Sequence, residues 1–219
     1  MGIPECPALE LKKSNRHEQG RYMEPVETGK KYNKISEIYQ SELLNSNYGL
    51  AQVKRAISFV NVTGSALDVG CGVGGRIVDE LEISGFVITG IDVSRSMVTL
   101  AQESHPKVHF EIADICSWQT QQSFDFVVAW DSLFHLPLSQ HEVVLKKLCS
   151  LLTSGGVLIY TFGNDIGEHI SNWHNDTFYY SSIGLNRNLQ VLIDSGLDVM
   201  HMELDQYPEK HVYVVAKKP

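Results

Sequence analysis

Nowhere in its 219 residues does this chain carry a run of about eighteen apolar residues, which excludes a transmembrane helix of ordinary length. It also lacks a basic start followed by an apolar core. Met1-Gly-Ile-Pro-Glu-Cys6 therefore does not read as a secretory signal. Cysteine is sparse: Cys6, Cys71, Cys116 and Cys149 are scattered without a C-x-x-C pair. That spacing argues against a zinc site and against a disulfide framework, and it suits a reducing, cytoplasmic setting. His169 and His174 have no matching carboxylate pattern, so no metal is expected. Basic residues are outnumbered: 18 Lys and Arg stand against 26 Asp and Glu, for a net charge of −8. Such a balance disfavours a nucleic-acid partner, because phosphate binding wants clustered cations.

What is present describes an ordinary globule. Hydrophobic residues make up 43% of the chain and charged residues 20%, enough for a sizeable core in one domain. Residues 1–30 are polar and carry Pro4, Pro7 and Pro25, which predicts an arm of low intrinsic order. Residues 31–219 form the expected domain. It opens with a helical lid over 31–62, where Tyr32, Ile35, Ile38, Tyr39 and Leu43 share one helical face and Leu50, Val53, Ile57 and Val60 share another.

From residue 66 strands and helices alternate. Strands are expected at Ala66–Val69, Phe86–Asp92, Val108–Ile112, Phe124–Trp130 and Val157–Phe162. Helices are expected between them, with Ser94 as an N-cap. An irregular substrate-side insertion, 163–187, precedes a short helix over Leu189–Ile193 that Gly196 ends. Two last strands, Asp198–Leu204 and His211–Lys217, form an antiparallel hairpin in which His201 and His211 face each other. This order predicts an α/β fold: a doubly wound, mostly parallel, seven-stranded Rossmann-like sheet with a C-terminal antiparallel hairpin and an N-terminal helical lid.

The densest signal is Leu67-Asp-Val-Gly-Cys-Gly-Val-Gly-Gly75, a strand that breaks into four glycines before a helix start. Glycine turns of this kind let a ligand approach backbone N–H donors. Ligands in such sheets sit beyond the carboxyl ends of the strands. Those ends carry Asp92, Asp114 and Trp130-Asp131-Ser132, followed by His135. Asp92 is suited to the vicinal hydroxyls of a ribose, and Asp114 to an exocyclic amine. Ile91, Val93 and Ile115 are suited to flank a purine. Together they read as an adenosine pocket.

These stretches resemble the class I S-adenosylmethionine-dependent methyltransferases. The resemblance rests on Leu67-Asp-Val-Gly-Cys-Gly-Val-Gly, Gly90-Ile-Asp-Val-Ser, Ala113-Asp-Ile, Phe124-Asp-Phe-Val-Val-Ala and Leu151-Leu-Thr-Ser-Gly-Gly-Val-Leu, in that order, and it covers roughly residues 32–217. It implies S-adenosylmethionine as cofactor and a methyl transfer by direct displacement. The cofactor-binding set it implies is Asp68, Gly70, Cys71, Gly72, Gly74, Asp92, Val93, Asp114, Ile115 and Trp130. Within that set, Gly70 and Cys71 hold the methionine part, Asp68 its ammonium and Asp92 the ribose. Asp114 and Ile115 recognise adenine, and Trp130 borders the sulfonium.

Alternatives stay open beside each assignment. Asp92 caps the next helix or takes a ribose, and Asp114 caps a loop or reads adenine. The glycine turn also satisfies G-x-G-x-x-G, so an NAD(P)-dependent oxidoreductase is the rival enzyme. Asp68 counts against that rival, since it would repel a diphosphate. A cofactor-binding protein without turnover is the other alternative. His135 is the candidate general base or a residue that shapes the pocket. Tyr32, Tyr39, Trp173, His174 and Tyr179 are the substrate-side candidates, or members of a satellite core under the insertion. Ala129-Trp-Asp-Ser-Leu lacks the Asn-or-Asp-Pro-Pro-aromatic motif of enzymes that methylate base or glutamine amino groups. With the acidic charge, that points to a small-molecule acceptor.

Overall fold

The computed structural model describes residues 23–43 and 45–219. The expected arm lies outside the described residues as far as residue 22. Helix α1 (Pro25–Leu43) starts ahead of the expected boundary at Lys31. Pro25 opens it because the ring presets helical φ and the missing N–H would have had no helical partner. Ile35 is buried, but Ile38 faces outward at 49% exposure, so the apolar stripe is narrower than its spacing suggested. Helix α2 (Leu50–Ile57) follows.

The sheet begins with β1 (Ser65–Val69), α3 (Arg76–Ile83), β2 (Val87–Asp92), α4 (Arg95–Ser104), β3 (His109–Ile112) and β4 (Phe124–Ala129). It continues through α5 (His141–Ser150) and β5 (Leu152–Gly163), and ends with β8 (Asp198–Leu204) and β9 (His211–Lys217). Seven strands lie in the order β3-β2-β1-β4-β5-β9-β8. β1 to β5 pair in parallel, and β9 runs antiparallel between β5 and β8. Strand order reverses at β1, which lies between β2 and β4. That reversal opens a crevice beyond the carboxyl ends of β1 and β4.

Both faces of the central strands are covered, so they are apolar at nearly every position, and alternate residues face opposite cores. Leu67, Val127 and Leu158 face one core with Leu145 and Leu148 of α5. Ala66, Phe126 and Val157 face the other with Val53, Val78 and Leu81. Ser94 caps α4 as expected, its hydroxyl accepting from the Met97 N–H at 3.2 Å. No helix among the described residues is long and apolar enough to cross a membrane.

Residues 163–187 are not irregular. Strands β6 (Ile166–Trp173) and β7 (Asp176–Ile183) form a separate two-stranded sheet. Its turn is His174-Asn175, both at positive φ (46° and 60°), the twist that a tight hairpin requires. Helix α6 (Gly184–Asp194) starts five residues before the expected Leu189. It ends at Gly196 (φ 78°), where the Gly196 and Leu197 N–H groups donate to the Ile193 and Leu192 carbonyls. His201 and His211 do not face each other, because His201 is registered against Val215.

Candidate active site

The glycine turn after β1 is tight because two constraints meet there. Gly70 has φ 75°, and a Cβ on it would lie 2.3 Å from the Ser132 Cβ. Gly72 has φ 54°, but a Cβ there would meet only Tyr39, at 3.7 Å, so this glycine borders open space. The Gly70 and Cys71 N–H groups donate to the Ile91 carbonyl at 2.8 and 3.1 Å. The turn is thereby fastened to the end of β2.

Asp92 completes that fastening. Its Oδ2 accepts from the Gly72 N–H (3.0 Å) and its Oδ1 from the Ser94 N–H (2.8 Å). Burial raises its pKa, and those backbone bonds oppose the rise. A carboxylate has about four lone-pair sites, so both oxygens keep capacity for a ligand. Asp114 is similar: its Oδ1 accepts from the Cys116 N–H at 2.9 Å while the residue still lines the cleft. The capping roles and the cleft-lining positions therefore coexist.

The main cleft has a volume of about 760 Å³. Of the expected cofactor set, Gly70, Gly72, Asp92, Val93, Asp114, Ile115 and Trp130 line it. Asp68 and Cys71 line a smaller adjoining cleft with Arg76, and Gly70, Gly72, Trp130 and Asp131 border both. Gly74 lines neither. A Cβ there would press on Ala101 of α4, which makes Gly74 a packing position for the turn. Asp68 is 3% exposed, and its pKa is raised to about 7, first by burial, then by Asp92, with Arg76 opposing.

His135 sits in a short 3-10 turn after β4, also on the main cleft. Its Nδ1 is 2.9 Å from the Tyr179 carbonyl, which can only accept, so Nδ1 carries the proton. Nε2 is then a lone-pair acceptor, and the Tyr32 hydroxyl donates to it at 2.9 Å. Burial lowers the pKa of His135 to about 4, with the Tyr179 carbonyl and the Asp131 charge opposing. At neutral pH the ring is an uncharged base.

Tyr32 and Tyr39 reach the cleft from α1. The other three substrate-side candidates stand behind its wall. Trp173 packs on Tyr32 and Tyr39 at centroid distances of 6.0 and 6.1 Å. His174 lies 3.4 Å from Glu42. Tyr179 turns its hydroxyl away to Glu168. Period-two alternation in β7 explains the split, since Phe178 and Tyr180 join the core under α1 with Ile35 while Tyr179 points oppositely.

Several cleft residues had no assigned role in the sequence. Asp131 was visible only as a rim residue. Its backbone adopts φ 52°, its N–H donates to the Thr161 hydroxyl, and its Oδ1 receives His211 Nε2 at 2.9 Å. His211 is 4% exposed and comes from β9, far away in sequence. Nothing local signals it. The buried Thr28 hydroxyl on the cleft has no hydrogen-bond partner. Outside the cleft, Asp79, Glu82 and His105 group together, with His105 Nδ1 2.7 Å from Glu82.

Residues 66–156 match the family model described as a methyltransferase domain. That match spans less than half of the chain. An uncharacterized methyltransferase of Bacillus mycoides is 32% identical over 99 residues, covering 44% of this chain and 46% of that protein. The phosphoethanolamine N-methyltransferase of Plasmodium falciparum is 29% identical over 134 residues, covering 58% and 50%. The chain thus spans half or less of these curated relatives. The magnesium protoporphyrin IX methyltransferase of Synechocystis, solved with bound S-adenosylhomocysteine, superposes with a TM-score of 0.66 at 18% identity. That superposition covers 88% of this chain and 98% of that one, and it supports the fold.

The residues of the two clefts fit S-adenosylmethionine. A buried carboxylate with a raised pKa, Asp68, suits an ammonium, and open space borders Gly72. Among the described residues, four carboxylates line the two clefts against one cation, Arg76, a balance that disfavours the diphosphate of the nicotinamide alternative.

Proposed function

We propose that this chain is an S-adenosylmethionine-dependent methyltransferase acting on a small-molecule acceptor by direct displacement. The observation that carries this reading is the shared cleft. Its lining includes the glycine turn, Asp92 and Asp114 together with the hydrogen-bonded Tyr32–His135 pair, which supports the reading. When bound, the cofactor supplies a methyl group made electrophilic by its sulfonium. The chain's part is to hold and orient. Asp68 answers the ammonium, Asp92 the ribose hydroxyls, and Asp114 with Ile115 the adenine. Proximity and alignment contribute about 7–11 kcal/mol to reactions of this kind. His135 Nε2 takes the acceptor's proton by way of the Tyr32 hydroxyl, which passes its own proton to Nε2 and receives the acceptor's.

Helix α1 acts as the lid. Its Asn33 Oδ1 accepts from the Ser94 hydroxyl and the Ser96 N–H, and Lys31 and Lys34 pair with Asp176 of the hairpin. Water is thereby kept from the reacting atoms. The described cysteines carry no disulfide, in keeping with a cytoplasmic site of action, which is part of this proposal.

Calorimetric titration with S-adenosylmethionine, S-adenosylhomocysteine and NAD tests the reading. Binding of the two sulfur compounds and not of NAD is expected. Binding of NAD alone would assign the cleft to hydride chemistry. A screen for S-adenosylhomocysteine release over candidate small molecules then separates an enzyme from a silent binder.

A further inference from the structure

We infer that the acceptor taken by this cleft is a cationic amine held at Asp131, and not a carboxylate or a phosphate; the inference rests on the methyltransferase reading above. Among the described residues, the wall of the main cleft contains no lysine and no arginine, while it contains Asp92, Asp114 and Asp131. The adjoining cleft has one arginine, Arg76, whose Nε donates to the Tyr48 carbonyl and whose charge opposes that of Asp68. Among the described residues, an anionic acceptor in the main cleft would therefore meet like charge with no cation there to receive it.

Asp131 is the carboxylate left over once the cofactor is accommodated. Asp68 answers an ammonium, Asp92 a ribose and Asp114 an adenine amine. Asp131 stands where the two clefts meet. Its side-chain bonds with His211 and Thr161 both fall on Oδ1, which leaves Oδ2 for a ligand. His211 is shared with Asp205, so with His211 protonated the three groups carry one net negative charge. Tyr32, Tyr39 and Trp130 line the same cleft, and aromatic rings ease the desolvation of a cation. An ammonium must shed a proton before its nitrogen can act as a nucleophile, and neutral His135 lies on this cleft to receive it.

The test uses three probes of one shape on the full chain saturated with S-adenosylhomocysteine: phenethylamine, 2-phenylethanol and 3-phenylpropanoate, titrated by NMR. The expected order is amine, alcohol, acid, with the amine about tenfold tighter than the alcohol. Asp131→Asn isolates the charge, because asparagine accepts the left-handed backbone that Asp131 adopts. This variant is expected to lose about tenfold in amine affinity and to keep alcohol affinity within about twofold. An acid that binds as well as the amine, a cleft that takes none of the three, or an amine preference that survives Asp131→Asn overturns the inference. The wild-type ranking alone decides the matter if the variant does not fold. A sample that takes no S-adenosylhomocysteine overturns the methyltransferase reading as well, and one that takes it but ranks the acid first overturns only this inference.

Discussion

His211 Nε2 stands 2.9 Å from Asp131 Oδ1, and the same ring's Nδ1 stands 2.6 Å from Asp205 Oδ1. One imidazole from the penultimate stretch of the chain thus ties the cleft's rim to the hairpin that closes the sheet. Both ring nitrogens face carboxylates, so both carry protons. Burial alone would lower the pKa of His211, but the bonds and charges of Asp131 and Asp205 raise it to about 9.

This pairing has a signed consequence for stability. A histidine whose folded pKa is raised contributes fully below its unfolded pKa of about 6.5 and loses that contribution as pH rises through about 9. His211→Gln leaves two buried carboxylates without their cation, a loss of about 3–5 kcal/mol at pH 6. Urea unfolding at pH 6 and pH 9.5 should show that loss shrinking at the higher pH. A gap that is constant with pH would mean that the imidazole is neutral.

Asp68 carries the opposite sign. Its pKa is raised to about 7, so its ionisation opposes folding progressively from about pH 4 upward and costs up to about 4 kcal/mol above pH 7. Asp68→Asn should raise the melting temperature of the ligand-free protein at pH 8, with no gain at pH 4. The same variant should weaken S-adenosylhomocysteine binding about tenfold or more. A variant that is no more stable and binds equally well would place the carboxylate outside the site.

His135→Ala should lower turnover about 10²–10⁴-fold on any acceptor that loses a proton, while the cofactor dissociation constant stays nearly unchanged. With its pKa at about 4, the residue imposes no acid limb between pH 5.5 and 8 in the wild-type rate profile. Unchanged turnover in the variant would remove His135 from the chemistry.

Two glycines of one turn should fail differently. Gly70→Ala combines positive φ with a contact 2.3 Å from the Ser132 Cβ, and at least about 2 kcal/mol of stability should be lost. Gly72→Ala has room, with nothing nearer than 3.7 Å, so its loss should be about 1–2 kcal/mol while cofactor binding suffers more. Thermal melts and calorimetry on both variants separate the two effects.

Much of the fold was legible because its signals are local. The buried run from Phe124 to Ala129, the Ser94 cap and the Gly196 terminator are each readable within a few residues. The hairpin β6–β7 was missed because its turn, His174-Asn175, is not one of the strongest glycine-bearing pairs and its outer strand alternates weakly. For the cleft, the strand ends pointed to Asp92 and Asp114, and both line it. Trp173 and Tyr179 do not line it: an aromatic cluster gives no hint of which ring faces a cavity. His211 was set opposite His201 and not at the cleft for a different reason: its partners, Asp131 and Asp205, meet it only after the antiparallel hairpin has folded back beside β5.

The most direct measurement is a crystal structure of the protein soaked with S-adenosylhomocysteine. Density for the adenosine is expected beside Asp92 and Asp114, with the amino-acid end beside Asp68. An empty cleft at saturating ligand, or a nicotinamide dinucleotide ordered across Gly72 in a parallel soak, would contradict it.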